Sequence, residues 1–284
     1  MVEEKAYGKI NLWLNVNKKL CNGYHDLEMI MTQVELHDAL ILQKTNANVI
    51  TLDCDKDVGR VEDNLVYKAI KLIKEEYNIN EGVHCILKKK IFIGAGMAGG
   101  SSDCAAALRG MNKLFDLKLT SKVMERIGVV LGADVPYCIR GGTALVRGIG
   151  EKIEKINDMP PTYILLVKPD FSVSTKETFE ALKNDDIGYK GGIDDLIAGI
   201  RKQNVKVIEK HLHNTLECVI LNKYNLLLDI KKYLEDLGVR SLMSGSGPTV
   251  FAFFYSRESG EEALMRVKEK YPMFKDVVLT RTRR

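Results

Sequence analysis

Gly94-Ala95-Gly96-Met97-Ala98-Gly99-Gly100-Ser101-Ser102-Asp103 follows a strand-like run, Val83–Ile93, and opens a predicted helix, Ser101–Phe115, striped by Cys104, Leu108, Met111 and Phe115. Strand, glycine loop, helix is the local order. Glycines let a backbone approach a ligand closely and reach positive φ. Amides gathered where a helix begins form an anion nest, reinforced by the positive end of the helix dipole. Ser101 and Ser102 add hydroxyl donors, and Ser102 is alternatively a ligand for Mg²⁺. The plain alternative is a glycine turn capped by Ser or Asp; four glycines and two serines in ten residues exceed what a cap requires.

A literal G-x-G-x-x-G falls on Gly94, Gly96 and Gly99, with Asp116 twenty residues after Gly96, as in dinucleotide-binding dehydrogenases. Such a site needs a second parallel strand ending in the acid, and a helix running to Phe115 leaves no room for one. A Gly-Lys-Ser/Thr phosphate loop and the His-Arg-Asp loop of protein kinases are both missing from the sequence.

Outward from the loop, Lys9–Val16, Met29–Leu36, Ala39–Leu42 and Val49–Leu52 read as strands, the second and third flanking a corner at His37-Asp38. Asp63-Asn64 opens a helix through Tyr77, and Ser121–Val130 is another. Tyr137–Val146 reads as a strand interrupted by Gly141-Gly142, and Met159-Pro160-Pro161 marks a boundary. Beyond it, strands at Tyr163–Val167 and Val250–Tyr255 alternate with helices near Thr175–Leu182, Ile193–Arg201, Leu226–Leu237 and Glu261–Tyr271. The pattern predicts an α+β chain of two domains, residues 1–158 binding ATP and residues 159–284 on the substrate side, with the active site in the cleft between them.

Composition narrows the class. A chain of 284 residues with 45% apolar and 28% charged content buries a substantial core, and its net charge of +4 is spread along the chain, a balance that suits an anionic small ligand as well as nucleic acid; the expectation is no nucleic-acid partner. The Arg281–Arg284 tail reads as a solvated end. Cys21, Cys54, Cys85, Cys104, Cys138 and Cys218 stand singly, as expected of reduced cysteines in a cytoplasmic protein. No apolar run approaches the roughly 18 residues of a membrane span, and the expectation is a soluble monomer or homodimer with a small-molecule substrate.

Phosphoryl transfer to an alcohol asks for charge neutralisation and a carboxylate that takes the hydroxyl proton. Asp134, in Gly132-Ala133-Asp134-Val135-Pro136, is the candidate base; the same turn also suits an Asp that only stabilises it. Lys9 and Asn11 share a strand face, and Lys9 can either lower the pKa of that carboxylate or contact the transferred phosphate. Tyr24-His25, in Gly23-Tyr24-His25-Asp26, suits stacking on and hydrogen bonding to a planar base. Ser244-Gly245-Ser246-Gly247-Pro248-Thr249 supplies more backbone donors, or simply turns the chain between strands.

Lys9-Ile10-Asn11-Leu12, Gly94–Asp103 and Ser244–Thr249 occur in the order and spacing of the GHMP kinase superfamily, which the chain resembles over almost its whole length. Ala6–Leu12, Gly23–Leu27, Asp63-Asn64-Leu65 and Leu131–Pro136 resemble one branch of it; homoserine and mevalonate kinases lack the Gly-Tyr-His combination. The resemblance implies that ATP, with Mg²⁺, phosphorylates the 2-hydroxyl of a cytidine diphosphate sugar alcohol in the non-mevalonate route to isoprenoid precursors. By the same carry-over, Asp134 is the base and Lys9 its partner, Asn64 and Lys90 approach the ATP nucleoside, and Gly94–Asp103 hold its phosphates. Tyr24 and Phe179 sandwich the cytosine, His25 hydrogen-bonds it, Asn11 lies near the acceptor alcohol, and Gly245, Ser246 and Gly247 face the substrate. Members of the superfamily usually carry proline where this chain has Phe92. The alternatives are another GHMP-type small-molecule kinase and a catalytically silent nucleotide-binding module.

Overall fold

The computed structural model describes residues 1–283. In chain order the elements are β1 (Val2–Lys19), β2 (His25–Thr45), β3 (Ile50–Cys54), α1 (Leu65–Glu76), β4 (Gly82–Lys88), α2 (Gly99–Leu114), α3 (Ser121–Val129), α4 (Val135–Arg140), β5 (Thr143–Gly148), β6 (Lys152–Lys155) and β7 (Tyr163–Lys168). They continue with α5 (Thr175–Glu180), α6 (Ile193–Arg201), α7 (Val205–Lys210), β8 (His213–Asn214), α8 (Glu217–Lys223), α9 (Asn225–Asp236), β9 (Ser241–Met243), β10 (Val250–Phe254), α10 (Arg257–Lys270) and β11 (Asp276–Arg281).

Two compact units emerge, and they interleave along the chain. One holds Met1–Gly8, Leu36–Ile91 and Ala98–Gly141; the other holds Lys9–Glu35, Phe92–Met97 and the chain from Gly142 onward. The prolines at 160 and 161 had suggested a single cut after residue 158.

In the first unit, the later half of β2 pairs antiparallel with β4, from Ala39↔Lys88 to Thr45↔Gly82, and β4 pairs parallel with β3. Asn64 starts α1 by accepting the Val66 N–H at 2.9 Å, and Val66, Ala69, Ile70 and Ile73 make its buried face. Burial of Val66, Ile70 and Ile73 contributes on the order of 1.5–3 kcal/mol each. α2 passes so close to β2 that a Cβ on Gly110 would lie 2.0 Å from Leu42 Cδ1. The helix ends before Phe115, and Asp116 follows in a left-handed turn (φ 50°), so no strand carries that acid.

Three expectations change here. β2 runs unbroken through His37-Asp38 because Asp38, fully buried, is neutralised by Lys89 instead of needing solvent. β4 stops at Lys88, short of Ile93, because the next backbone N–H groups leave the ladder: Lys89 donates to Asp55, and Lys90 and Ile91 donate to Asp38. Residues 137–140 belong to helix α4, with Pro136 at its start; Gly141 and Gly142, both at positive φ, end it before β5 begins.

In the second unit, β11-β7-β10-β9 form an antiparallel sheet whose β7 and β10 are almost wholly buried. α9 and α10 pack on it. The earlier half of β2 pairs antiparallel with β5, which pairs with β6, while β8 runs parallel to β1 at Trp13↔His213. Within the expected Arg281–Arg284 tail, Thr282 and Arg283 are tied to the fold. Thr282 is buried and donates its N–H to Thr162 O at 3.0 Å, and the Arg283 N–H bonds Gln33 O at 2.9 Å; Arg284 lies outside the described residues. Among the described residues no helix is long and apolar enough to cross a membrane.

Candidate active site

Positive φ at Gly94 (61°), Gly96 (70°) and Ala98 (55°) folds the loop back on itself before α2 begins. Its Gly96 and Met97 carbonyls are spoken for. Gly96 O accepts Lys9 Nζ at 3.0 Å and Ser244 Oγ at 2.9 Å, and Met97 O accepts the Lys9 N–H at 3.1 Å. Its amides are not: among the described residues, no protein acceptor pairs with the main-chain N–H groups of Gly94 through Ser101. A helix start explains the last of these. The rest come from the glycine turns, so the segment is a run of donors suited to anionic oxygens.

Lys9 and Asn11 lie together on β1, as their spacing implies, with Lys9 Nζ donating to Asn11 Oδ1 at 2.5 Å; both residues are buried. The Ser244–Thr249 turn closes on the loop so tightly that a Cβ on Gly96 would sit 2.1 Å from Ser244 O, and one on Gly245 would sit 3.2 Å from Lys9 Nζ. Asn214, which no sequence signal singled out, pins that turn by donating to Met243 O at 2.7 Å and Gly245 O at 2.8 Å. Two of the expected substrate contacts are partly committed within the protein: Ser246 Oγ meets Thr175 Oγ1 at 2.8 Å, and the Gly247 N–H bonds Ser244 O at 2.9 Å.

Two residues at the end of the glycine segment are buried and bonded within the protein. Ser102 is 2% exposed; its hydroxyl donates to Tyr7 O at 2.6 Å, and its N–H bonds Ala98 O. Asp103 is buried with Oδ2 at 2.6 Å from Lys89 Nζ. Packing of α2 decides this, because every residue from Ser102 to Leu108 is buried and the polar pair must find partners inside. Ser101, half-buried, keeps the exposed position of the two serines. Asn64 spends its side-chain oxygen on capping α1, and the Lys90 side chain is exposed.

The Ser102 hydroxyl hydrogen is thus committed to Tyr7 O. Among the described residues, no group of three or more His, Cys, Asp or Glu is arranged to hold a metal ion.

Asp134 is half-buried at the start of α4, and its carboxylate makes no hydrogen bond to the helix it caps. A turn-stabilising Asp commonly spends its oxygens on local N–H groups, a bond that this carboxylate does not make to α4. Around the other expected pocket, the His25 and Phe179 rings stack, with centroids 5.2 Å apart and planes 28° apart, whereas Tyr24 is 60% exposed. Burial first, then the Lys19 charge, lowers the His25 pKa and keeps the imidazole neutral at neutral pH.

Residues 64–142 match the sequence profile of the GHMP kinases N terminal domain, and residues 196–272 that of the GHMP kinases C terminal domain. The 4-diphosphocytidyl-2-C-methyl-D-erythritol kinase of Clostridium botulinum (strain Alaska E43 / Type E3) is 44% identical over 280 residues, covering 98% of this chain and 99% of the relative. The enzyme of that name from Clostridium tetani (strain Massachusetts / E88) is 44% identical, covering 94% and 96%. Among solved structures, a 4-(cytidine 5'-diphospho)-2C-methyl-D-erythritol kinase superposes with a TM-score of 0.84 at 26% identity over 99% of each chain. The mevalonate kinase of L. major reaches 0.79 at 15% identity over 100% of this chain and 96% of its own, a likeness of fold alone. The chain belongs to the 4-diphosphocytidyl-2-C-methyl-D-erythritol kinase family of the GHMP kinases.

Proposed function

We infer that the chain transfers the γ-phosphoryl group of ATP to the 2-hydroxyl of 4-diphosphocytidyl-2-C-methyl-D-erythritol, a step of the non-mevalonate route to isoprenoid precursors. The observation that carries the phosphoryl-transfer chemistry is the run of unpaired main-chain N–H groups from Gly94 to Ser101. Those donors neutralise phosphate charge without a cationic cage, and positioning with electrostatics supplies most of the rate in such reactions. The acceptor's identity rests on relatives of that name that match over nearly the whole chain.

In the reaction, the acceptor oxygen forms a bond to the γ-phosphorus as the bond to the β-phosphate's bridging oxygen breaks. ADP leaves with that electron pair, and Asp134 takes the hydroxyl proton. Lys9, held by Asn11 and Gly96 O, sets its ammonium against the transferred phosphate. His25 and Phe179 receive the cytosine, with Tyr24 free to fold over its other face. Mg²⁺ enters as part of the ATP substrate, on the phosphate oxygens with water.

ADP release measured against the cytidine diphosphate sugar alcohol, mevalonate and homoserine tests this. The expected result is acceptor-dependent ADP release with the first compound and a background rate with the others. Background rates with all three would leave a nucleotide-binding module instead of a kinase, and release driven by mevalonate or homoserine would assign another GHMP acceptor.

A further inference from the structure

Lys89 extends beneath the start of α2 into a site with two carboxylates. Its Nζ lies 2.5 Å from Asp38 Oδ2 and 2.6 Å from Asp103 Oδ2, and all three residues are at most 6% exposed. Asp38 is fully used, since its other oxygen accepts the N–H groups of Lys90 and Ile91. Among the described residues Asp103 Oδ1 has no hydrogen-bond partner. The ammonium is close enough to the helix start that a Cβ on Gly99 would stand 3.5 Å from Nζ and 3.2 Å from Ile91 Cγ2.

A buried ion cluster is a poor way to gain stability, because three apolar side chains of like volume would serve as well or better. Lys89 is also set near the positive end of the α2 dipole, where a cation is disfavoured unless paired. What the cluster does provide is geometry. One side chain, Asp38, fixes the backbone of residues 90–91 as it leaves β4, and the ammonium it shares with Asp103 fixes the first turns of α2. The segment between those two anchors is the glycine loop.

We propose that Asp38, Lys89 and Asp103 form a positioning device that sets where the N–H groups of Gly99, Gly100 and Ser101 point, and so determines affinity for the ATP triphosphate. This rests on the loop being the triphosphate cradle. Burial, against the pull of Lys89, pushes the Asp103 carboxyl up to about 8, so at neutral pH the cluster puts no net negative charge under a polyanion.

The test measures kcat and both KM values for Lys89→Met, Asp103→Ala and Asp103→Asn in the full chain. Asp103→Asn keeps an oxygen for Lys89 and is expected to hold the wild-type KM for ATP. Lys89→Met and Asp103→Ala are expected to raise that KM roughly 10- to 100-fold while kcat and the acceptor KM stay within about threefold. A merely structural cluster would instead lower kcat with the folded fraction and leave both KM values alone, which would overturn the proposal. Should Lys89→Met fail to fold, Asp103→Ala, which retains the Asp38–Lys89 pair, decides the matter. Amide NMR of the wild-type chain with a nonhydrolysable ATP analogue separates the two levels. If the analogue binds without shifting residues 94–101, the cradle itself fails and takes this proposal with it. If those amides shift equally in wild type and Asp103→Ala at equal affinity, the cradle stands and the positioning role falls.

Discussion

Asp134 starts α4 yet makes no side-chain cap hydrogen bond to it, and the proposed role of that carboxylate is to take the hydroxyl proton. Asp134→Asn is expected to bind both substrates and lose turnover by on the order of 10²–10⁴, measured as kcat against separately determined dissociation constants. His25 sets a second expectation. Its lowered pKa means that the ring stays neutral until the pH falls below the ordinary histidine value of about 6.5. The KM for the cytidine substrate should therefore be flat from pH 8 to 6.5 and rise only at lower pH; an inflection at or above 6.5 would contradict a neutral, buried His25. At this scale the sequence was legible where spacing is chemistry: Lys9 with Asn11 on one strand face, Asp134 before a proline, and the glycine run. It was silent on which serine of Ser101-Ser102 turns inward, because α2 is buried on nearly every side from Ser102 to Leu108 and a single apolar stripe does not discriminate there.

The loop and the turn opposite it are one element in energetic terms, since the carbonyl of Gly96 is the meeting point of Lys9 and Ser244. A side chain at Gly96 would demand positive φ and also collide with Ser244 O, whereas one at Gly100, inside α2, would meet nothing nearer than Leu65 Cδ1 at 3.8 Å. Gly96→Ala is expected to cost about 1–3 kcal/mol, and Gly100→Ala to stabilise by about 0.5–1 kcal/mol, both read from denaturant unfolding. Equal effects would mean that the loop is not held as described. α1, α2 and α3 were legible from period and caps. β2 and α4 were misread because tertiary partners decided them: a buried lysine lets Asp38 sit mid-strand, and two glycines at positive φ separate helical 137–140 from β5. Short elements such as β8 and β9 carry too few residues for any periodicity to register.

For the molecule as a whole, the α+β class and the GHMP kinase resemblance were readable from three motifs and their order. The partition of the chain was not, because β1 and β2 each run through both units and a linear cut cannot represent that. Nor was the chain end, where Thr282 is buried by pairing that only folding creates. The central claim concerns which bond the assembled molecule makes. Its most direct measurement is ³¹P NMR of the chain mixed with Mg-ATP and 4-diphosphocytidyl-2-C-methyl-D-erythritol. The expected result is a new phosphomonoester on the 2-position of the acceptor, appearing in step with ADP. Unchanged ATP resonances in the presence of the acceptor, or phosphate on a different hydroxyl, would contradict it.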